Sequence, residues 1–377
     1  AVVAGQYIGR KDEKSACKAA TQLVWFVSLS AVAIMILVYF GKDIILNQVF
    51  GHITAEVKGH ADIYLLIVTA SIPFIALYNG GAAIFRAMGN SQVSMRVSLL
   101  MNAINVTGNA ILVFGLRIGT AGVAIPTLIS RMAAAIVITV LLCNQTRILH
   151  IERTLKIRFD GRMIRKILAI GVPNGLENSM FQLGKILVLS LVSTFGTYAI
   201  AANAVSNAIA LFQILPGMAI SLAITTVISQ CVGANDYEQV HYYLKKLLVI
   251  IYVAMVGTVA LIFLALPLIL KAYNLSDQTA AAATNIIHFH GISAMIIWPL
   301  SFALPAAYRA AGDAKACMYT SIVSMWIFRI GFSYLVGKYM GLGVFGVWVA
   351  MVIDWVVRAI CFIIRYFNGK WKHGAIV

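Results

Sequence analysis

The segment VVAGQYIGRKD at Val2–Asp12 returns as TVISQCVGAND at Thr226–Asp236, placing Gln6 on Gln230, Gly9 on Gly233 and Asp12 on Asp236 at an offset of 224. Two further echoes hold the register: FRAMGN at Phe85–Asn90 matches YRAAGD at Tyr308–Asp313 at an offset of 223, and GTAGVA at Gly119–Ala124 matches GVFGVW at Gly343–Trp348 at 224. Self-similarity at one spacing means that one structural unit is built twice. Between the echoes lie long apolar runs, so the repeated unit is a bundle of membrane helices. The runs Ala19–Phe40, Ile63–Phe85, Val97–Leu116, Leu247–Leu270 and Gln278–Tyr308 each reach the ~20 residues a helix needs to cross a bilayer.

Four more stretches complete the count. Ile118–Gly161, Ala316–Gly337 and Tyr339–Ile364 each hold a span with one or two charges inside, and Ile167–Asn235 is long enough for two, turning in STFGTYAIAAN at Ser193–Asn203. Ten spans then follow Gly9, and an even number of them separates the echoes. The halves therefore share one orientation, a parallel repeat about an axis along the membrane normal. The later half holds six helices between about Arg162 and Phe367, and the earlier half shows four after a helical tail at Ala1–Gly9. Since Ala1 falls on Thr225, the expectation is a twelve-helix protein lacking about 63 N-terminal residues here, namely helix one and most of helix two. The fold class is all-α and polytopic, two parallel-repeat six-helix bundles. Its expected parts are a partial N-terminal lobe at 1–143, a cytoplasmic linker at 144–165 and a C-terminal lobe at 166–377.

Composition agrees. Of 377 residues 61% are hydrophobic and 11% charged, where soluble domains carry about a quarter charged residues, and the mean hydropathy is +0.90. The net charge of +16 would suggest nucleic acid in a soluble protein, but its placement excludes that reading. Taking alternate loops, 20 Lys and Arg fall on one side and five on the other (Lys42, Lys58, Arg117, Lys271, Lys338), with Arg131, Lys185, Arg329 and Arg358 inside spans. This is the positive-inside bias, and it puts the C-terminus in the cytoplasm. Five cysteines near that face, Cys17, Cys143, Cys231, Cys317 and Cys361, read as free thiols without metal spacing.

Ionisable groups inside a span are costly and point to function or to a buried partner. In GVPNGLENSMFQLGK at Gly171–Lys185, the residues Asn174, Glu177, Asn178, Gln182 and Lys185 fall within a ~140° arc of one helix face. Such a face reads as a cavity wall with Glu177 as a protonatable or cation-binding carboxylate near mid-membrane, or else as a packing network. Lys185 either snorkels or pairs with a carboxylate. Asp354 and Arg358, four apart on the twelfth helix, have the spacing of a buried pair, with Arg329 as a third member. Asn102, Asn105 and Asn109 share a face of the fifth helix and suit interhelical bonding or substrate contact equally. His288 and His290 are two apart and point in different directions, a poor metal pair. Prolines at Pro73, Pro126, Pro173, Pro216, Pro267, Pro299 and Pro305 mark bends.

The stretch GVPNGLENSMFQLGKILVLSLVSTFGTYAIAANAVSNAI from Gly171, the turn QCVGAND from Gln230 and the turn AAYRAAGDAK from Ala306 resemble the multidrug and toxic compound extrusion family, in its bacterial DinF-like range. The resemblance implies two six-helix bundles facing each other across a V-shaped cavity. It also implies alternating access, with export of drug-like organic cations in exchange for Na⁺ or H⁺ as coupling ion. The expected site is Glu177, Asn174, Asn178, Gln182 and Lys185, with Asn105, Asn109, Arg329 and Asp354. Glu177 stands about one turn nearer the helix start than the family's usual acid. Where some members place an aspartate in helix ten, this chain reads Ile297-Trp298-Pro299. Four basic against two acidic groups within spans keeps a second reading open, a flippase for lipid or lipid-linked oligosaccharide with an anionic substrate. A major-facilitator transporter fits less well, because GQYIGRKDEK at Gly5–Lys14 lacks that family's Asp-Arg and paired arginines. Absence of HExxH, nucleophile-elbow and P-loop motifs speaks against an enzyme or an ATP-driven motor in this chain. Expected partners are small drug-like molecules and membrane lipid, not nucleic acid; the expected location is the bacterial inner membrane, and the expected state a monomer with no metal and no cofactor.

Overall fold

A computed structural model describes residues 1–49, 54–151 and 159–376. Glu152, Arg153, Lys156 and Arg158 of the expected linker lie outside the described residues. The described residues are almost wholly helical, with no strand among them. The chain divides into two compact units, one running from Val3 to Ile167 and the other from Leu168 onward.

The first unit contains α1 (Val2–Gly9), α2 (Glu13–Ile44, continued in wide turns to Val49), α3 (Ala55–Ala70), α4 (Ile72–Ala87), α5 (Ser91–Asn109, continued to Gly115) and α6 (Ala121–Leu142). The expected single span Ile63–Phe85 is in fact broken. α3 and α4 meet at Ser71 with a bend of 41°. Pro73 has no N–H to offer the Thr69 carbonyl, so the ladder lapses there. The Ser71 hydroxyl instead donates to the Val68 carbonyl at 2.6 Å and accepts from Arg131 of α6 at 2.7 Å. The break thereby accounts for Arg131, a charge expected inside a span without a named partner.

The second unit contains α7 (Gly161–Ser193), whose first turns belong to the first unit, then α8 (Thr197–Gly233), α9 (Tyr237–Ala272), α10 (Asp277–Trp298), α11 (Leu304–Ala310), α12 (Ala314–Ser324) and α13 (Gly343–Asn368). The turn between α7 and α8 is only Thr194–Gly196, shorter than the eleven-residue stretch expected for it. Wide i→i+5 turns at Pro299–Ala303 join α10 to α11, where Pro299 interrupts the regular ladder. A longer wide-turn stretch, Met325–Gly331 and Ser333–Tyr339, carries on from α12. Trp298, Tyr308, Trp348, Trp355, Phe362 and Trp371 are buried in this unit's core.

Among the described residues, eight helices are long and apolar enough to cross a membrane, nine when the bent pair α3–α4 is counted as one span. α7 is more polar, but its 33 residues reach ~50 Å at 1.5 Å each, more than a bilayer's hydrocarbon depth. The outer surface is apolar, as lipid demands and water forbids: along α9, Leu261, Leu264 and Leu268 are 68%, 81% and 74% exposed on one face.

Candidate functional site

Glu177 lies in the second unit, within α7, and two cations from other helices face it. Its Oε2 is 3.5 Å from Nη1 of Arg309, in the last turn of α11. Its Oε1 is 3.5 Å from Nη2 of Arg358, ten residues before the end of α13. This changes two expectations. Glu177 is not an unaccompanied carboxylate but is flanked by two guanidiniums, and Arg358 does not form its ion pair with Asp354. Spacing of four along one helix permits a pair without requiring it. Here Arg358 reaches α7, while Asp354 Oδ1 accepts from the Ser324 hydroxyl of α12 at 2.5 Å.

The surroundings are tight. Asp354 is fully buried and Arg358 is 2% exposed. Asp354 Oδ2 and Arg358 Nε and Nη1 are buried with no hydrogen-bond partner among the described residues. The Arg358 guanidinium sits 4.7 Å from the centre of the Phe302 ring, a cation–π contact that partly replaces water. Buried charges left with open hydrogen-bonding capacity are costly, so any change in protonation or ion occupancy here acts with little screening.

One turn along α7, Phe181 carries two further cations, Lys185 Nζ and the Arg329 guanidinium, each 5.0 Å from its ring centre. Neither has an ion-pair partner among the described residues. Arg329 lies in the wide-turn stretch after α12, and Gly184 lets α7 come close to it: a Cβ there would stand 2.1 Å from Met325 Cε. Asn174, Asn178, Gln182 and Lys185 are all exposed on α7, with the Asn178 amide donating to the Asn174 carbonyl at 2.9 Å. Glu177 is the half-buried residue among them.

Asn105 and Asn109 lie in the first unit and form a neutral chain. Asn109 Nδ2 donates to Asn105 Oδ1 at 3.1 Å, and Asn105 Nδ2 donates to Thr127 Oγ1 of α6 at 3.2 Å. His288 bonds the Thr284 carbonyl, whereas buried His290 bonds Gln213 and packs against Trp348 and Trp355. The two rings thus serve different neighbours. No group of His, Cys, Asp or Glu among the described residues could hold a metal ion. Sequence reasoning missed Arg309, Ser324, Phe181 and Phe302. Phe181 had a signal, standing midway between Glu177 and Lys185 at helical spacing, and Arg309 had one in the repeated turn YRAAGD. Ser324 and Phe302 had none.

The family model MatE matches residues 1–111 and 173–335. The uncharacterized transporter YisQ of Bacillus subtilis is 27% identical over 98% of this chain and 81% of its own length. The probable multidrug resistance protein NorM of Thermotoga maritima is 22% identical over 96% and 78%. Among solved structures, an outward-facing multidrug resistance MATE family transporter of the MOP superfamily superposes with a TM-score of 0.90 at 21% identity, over 97% of this chain and 82% of the other. A MOP superfamily transporter from Pyrococcus furiosus, described by a reverse polarity of its binding pocket that suggests a different function, gives 0.89 at 21%, over 97% and 82%. A helical fold of membrane-spanning length, the internal repeat and a family match across well over half of the residues converge: the chain belongs to the MatE family.

Proposed function

We propose that this chain is a secondary active exporter of drug-like organic cations, working by alternating access in a bacterial inner membrane and coupled to H⁺ or Na⁺ at Glu177. The observation that carries the proposal is the placement of Glu177, a carboxylate on a polar helix face with Arg309 and Arg358 each 3.5 Å away. A proton or cation arriving at Glu177 competes with both guanidiniums for the same oxygens. Neutralising the carboxylate releases α7 from α11 and α13, and re-ionising it restores the hold. Ion occupancy and helix position are linked in this way, which is what coupling requires. The multidrug role of relatives such as NorM of Thermotoga maritima supports the substrate class.

The test is drug efflux from everted vesicles under imposed Na⁺ or H⁺ gradients, comparing wild type with Glu177→Gln at matched abundance. Gradient-driven export is expected to be lost in the variant. Unchanged export under both gradients removes Glu177 from the coupling site. The orientation is proposed from the basic loops, with the C-terminus cytoplasmic. In intact cells, single cysteines at Lys271 or Lys338 should react with impermeant thiol reagents and one at Lys245 should not. Reversed labelling overturns it.

A second reading has its own observation. Lys185 and Arg329 share the Phe181 ring with no ion-pair partner among the described residues, a pair suited to an anionic lipid or lipid-linked oligosaccharide. Likeness to the Pyrococcus furiosus transporter with the reversed pocket polarity supports it. Headgroup translocation in reconstituted vesicles, lost in Lys185→Gln and retained in Glu177→Gln, would favour this reading over drug export.

A further inference from the structure

At the end of the second unit where α9 begins and α13 finishes, a groove of about 510 Å³ opens between α9, α13 and the wide turns leading into α11. Its floor is aliphatic: Leu244, Leu248, Leu300, Leu304 and Ile363. Its rim is aromatic and basic, with Tyr242, Lys245, His241 and Tyr366. The volume is that of a small-molecule site, yet the lining has almost nothing to orient a polar solute except at one edge.

Three observations fix the chemistry of an occupant. First, the groove is continuous with the lipid-facing surface. Val249 and Val253 on α9 and Ile360 and Ile364 on α13 are 53%, 69%, 51% and 53% exposed beside it, so an acyl chain can enter sideways without crossing water. Second, its position along the helices is interfacial. Lys245 stands eight residues past Tyr237, the first residue of α9, ~12 Å along the axis. Tyr242 and Phe367 are 57% and 80% exposed there, as in the aromatic belts found at the headgroup level. Third, the rim is cationic, with Lys372 also standing close to His241. Lys246 donates to the Tyr242 hydroxyl at 3.2 Å, Arg365 is bound to Asp313, and His241 is held by the Tyr366 hydroxyl at 2.6 Å. Lys245 is exposed and has no ion pair among the described residues. Of the nearby carboxylates on α9, Asp236 caps the helix through the Gln239 N–H, and Glu238 is exposed seven residues before Lys245.

We propose that this groove is a resident site for an anionic phospholipid of the surrounding leaflet. One acyl chain lies on Leu244, Leu248, Leu300 and Leu304, and the phosphate is held at Lys245 beside the Tyr242 ring. An apolar floor open to the bilayer with an exposed Lys245 at the interface complements that molecule: a zwitterionic lipid gains less from Lys245, and a water-soluble anion gains nothing from the leucines. The site is separate from Glu177 and stands whether the cargo is a drug or a lipid.

The experiment is native mass spectrometry of the purified full chain after delipidation and readdition of phosphatidylglycerol and phosphatidylcholine in equal amounts. Wild type is expected to retain phosphatidylglycerol in preference. Lys245→Gln should cut that preference about fivefold, the ratio for ~1 kcal/mol per basic residue near the headgroup. Leu248→Trp should fill the groove and abolish retention, and Lys338→Gln, on a different helix pair, should change nothing. Equal retention of the two lipids by wild type overturns the proposal, whether the groove then takes any acyl chain or none. Undiminished preference in Lys245→Gln overturns it as well. That variant alters only an exposed side chain, so it decides the matter alone if Leu248→Trp does not yield monodisperse protein.

Discussion

The two units share their turns and differ in their interiors. Asp12 caps α2 through the Ser15 N–H at 3.0 Å, and Asp236 caps α9 through the Gln239 N–H at 3.0 Å. Lys11 and Asn235, just before these caps, have φ of 61° and 57°. Gly89 and Gly312 have φ of 78° and 95°, and Gly119 and Gly343 have 69° and 59°, values that a side chain resists. Thr54 and Ser276 begin α3 and α10 with the same kind of cap. Inside, the likeness ends. The first unit joins its helices through a serine hydroxyl facing Arg131 and through the neutral chain Asn109–Asn105–Thr127, whereas the second gathers Glu177, Arg309, Asp354 and Arg358. Backbone geometry at a tight turn admits few residues, so the repeat stays visible there. A span interior asks only that polar groups find partners, and two bundles can meet that demand with different chemistry.

That contrast can be broken by substitution. Arg358→Met leaves Glu177 with one cation fewer and Asp354 without its buried neighbour, and should cost about 3–5 kcal/mol in reversible unfolding of the purified protein. The matching change in the first unit, Arg131→Met, should cost only about 1 kcal/mol, because its partner is a neutral hydroxyl. Equal losses would mean that the charge network is no more than packing. Adding Glu177→Gln to Arg358→Met should recover part of the loss.

Close packing should be alike in the two units. Gly184→Val pushes into Met325, and Gly81→Val into Ile138, whose Cγ1 would stand 2.8 Å from a new Cβ. Each should lower stability by about 1–3 kcal/mol. A much larger loss at Gly184, read in the same unfolding assay, would show that the Phe181 cluster depends on this helix approach. Asn105→Ala removes one link of the neutral chain and should cost about 1 kcal/mol, with export retained if the chain is structural.

The smallest effects sharpen the likeness. Asp12→Ala and Asp236→Ala should each cost a few tenths to about 1 kcal/mol, and by the same amount if the two caps are equivalent. The hydrogen bonds from Ser15 hold the Asp12 carboxyl below its ordinary value. A depressed folded-state pKa means that this contribution is complete above about pH 4 and is lost as pH falls through the lowered value. A thermal melt series from pH 6 to pH 3 should therefore show the Asp12→Ala deficit shrinking toward the acid end; a constant deficit would assign the loss to something other than the charge.

Hydropathy and the repeat, read along single segments, were enough for the membrane class and the two-lobe helical construction, and they put Glu177 on one side of α7 with Asn174 and Asn178. These are local properties: apolar length, helical period and turn chemistry are written into consecutive residues. The break at Ser71 was half legible, since Pro73 announced a bend without saying that Arg131 would take up the freed hydroxyl. The partners of Glu177 were not legible at all. Arg309 and Arg358 stand 132 and 181 residues away, on helices whose periodicity says which face is polar but not which neighbour it meets. Asp354 offered Arg358 a partner one turn away, and the folded unit gave Arg358 to α7 and Asp354 to Ser324. That choice depends on how the side chains of α7, α12 and α13 meet in the folded unit. Only the tertiary structure decides that meeting, because no single helix contains it.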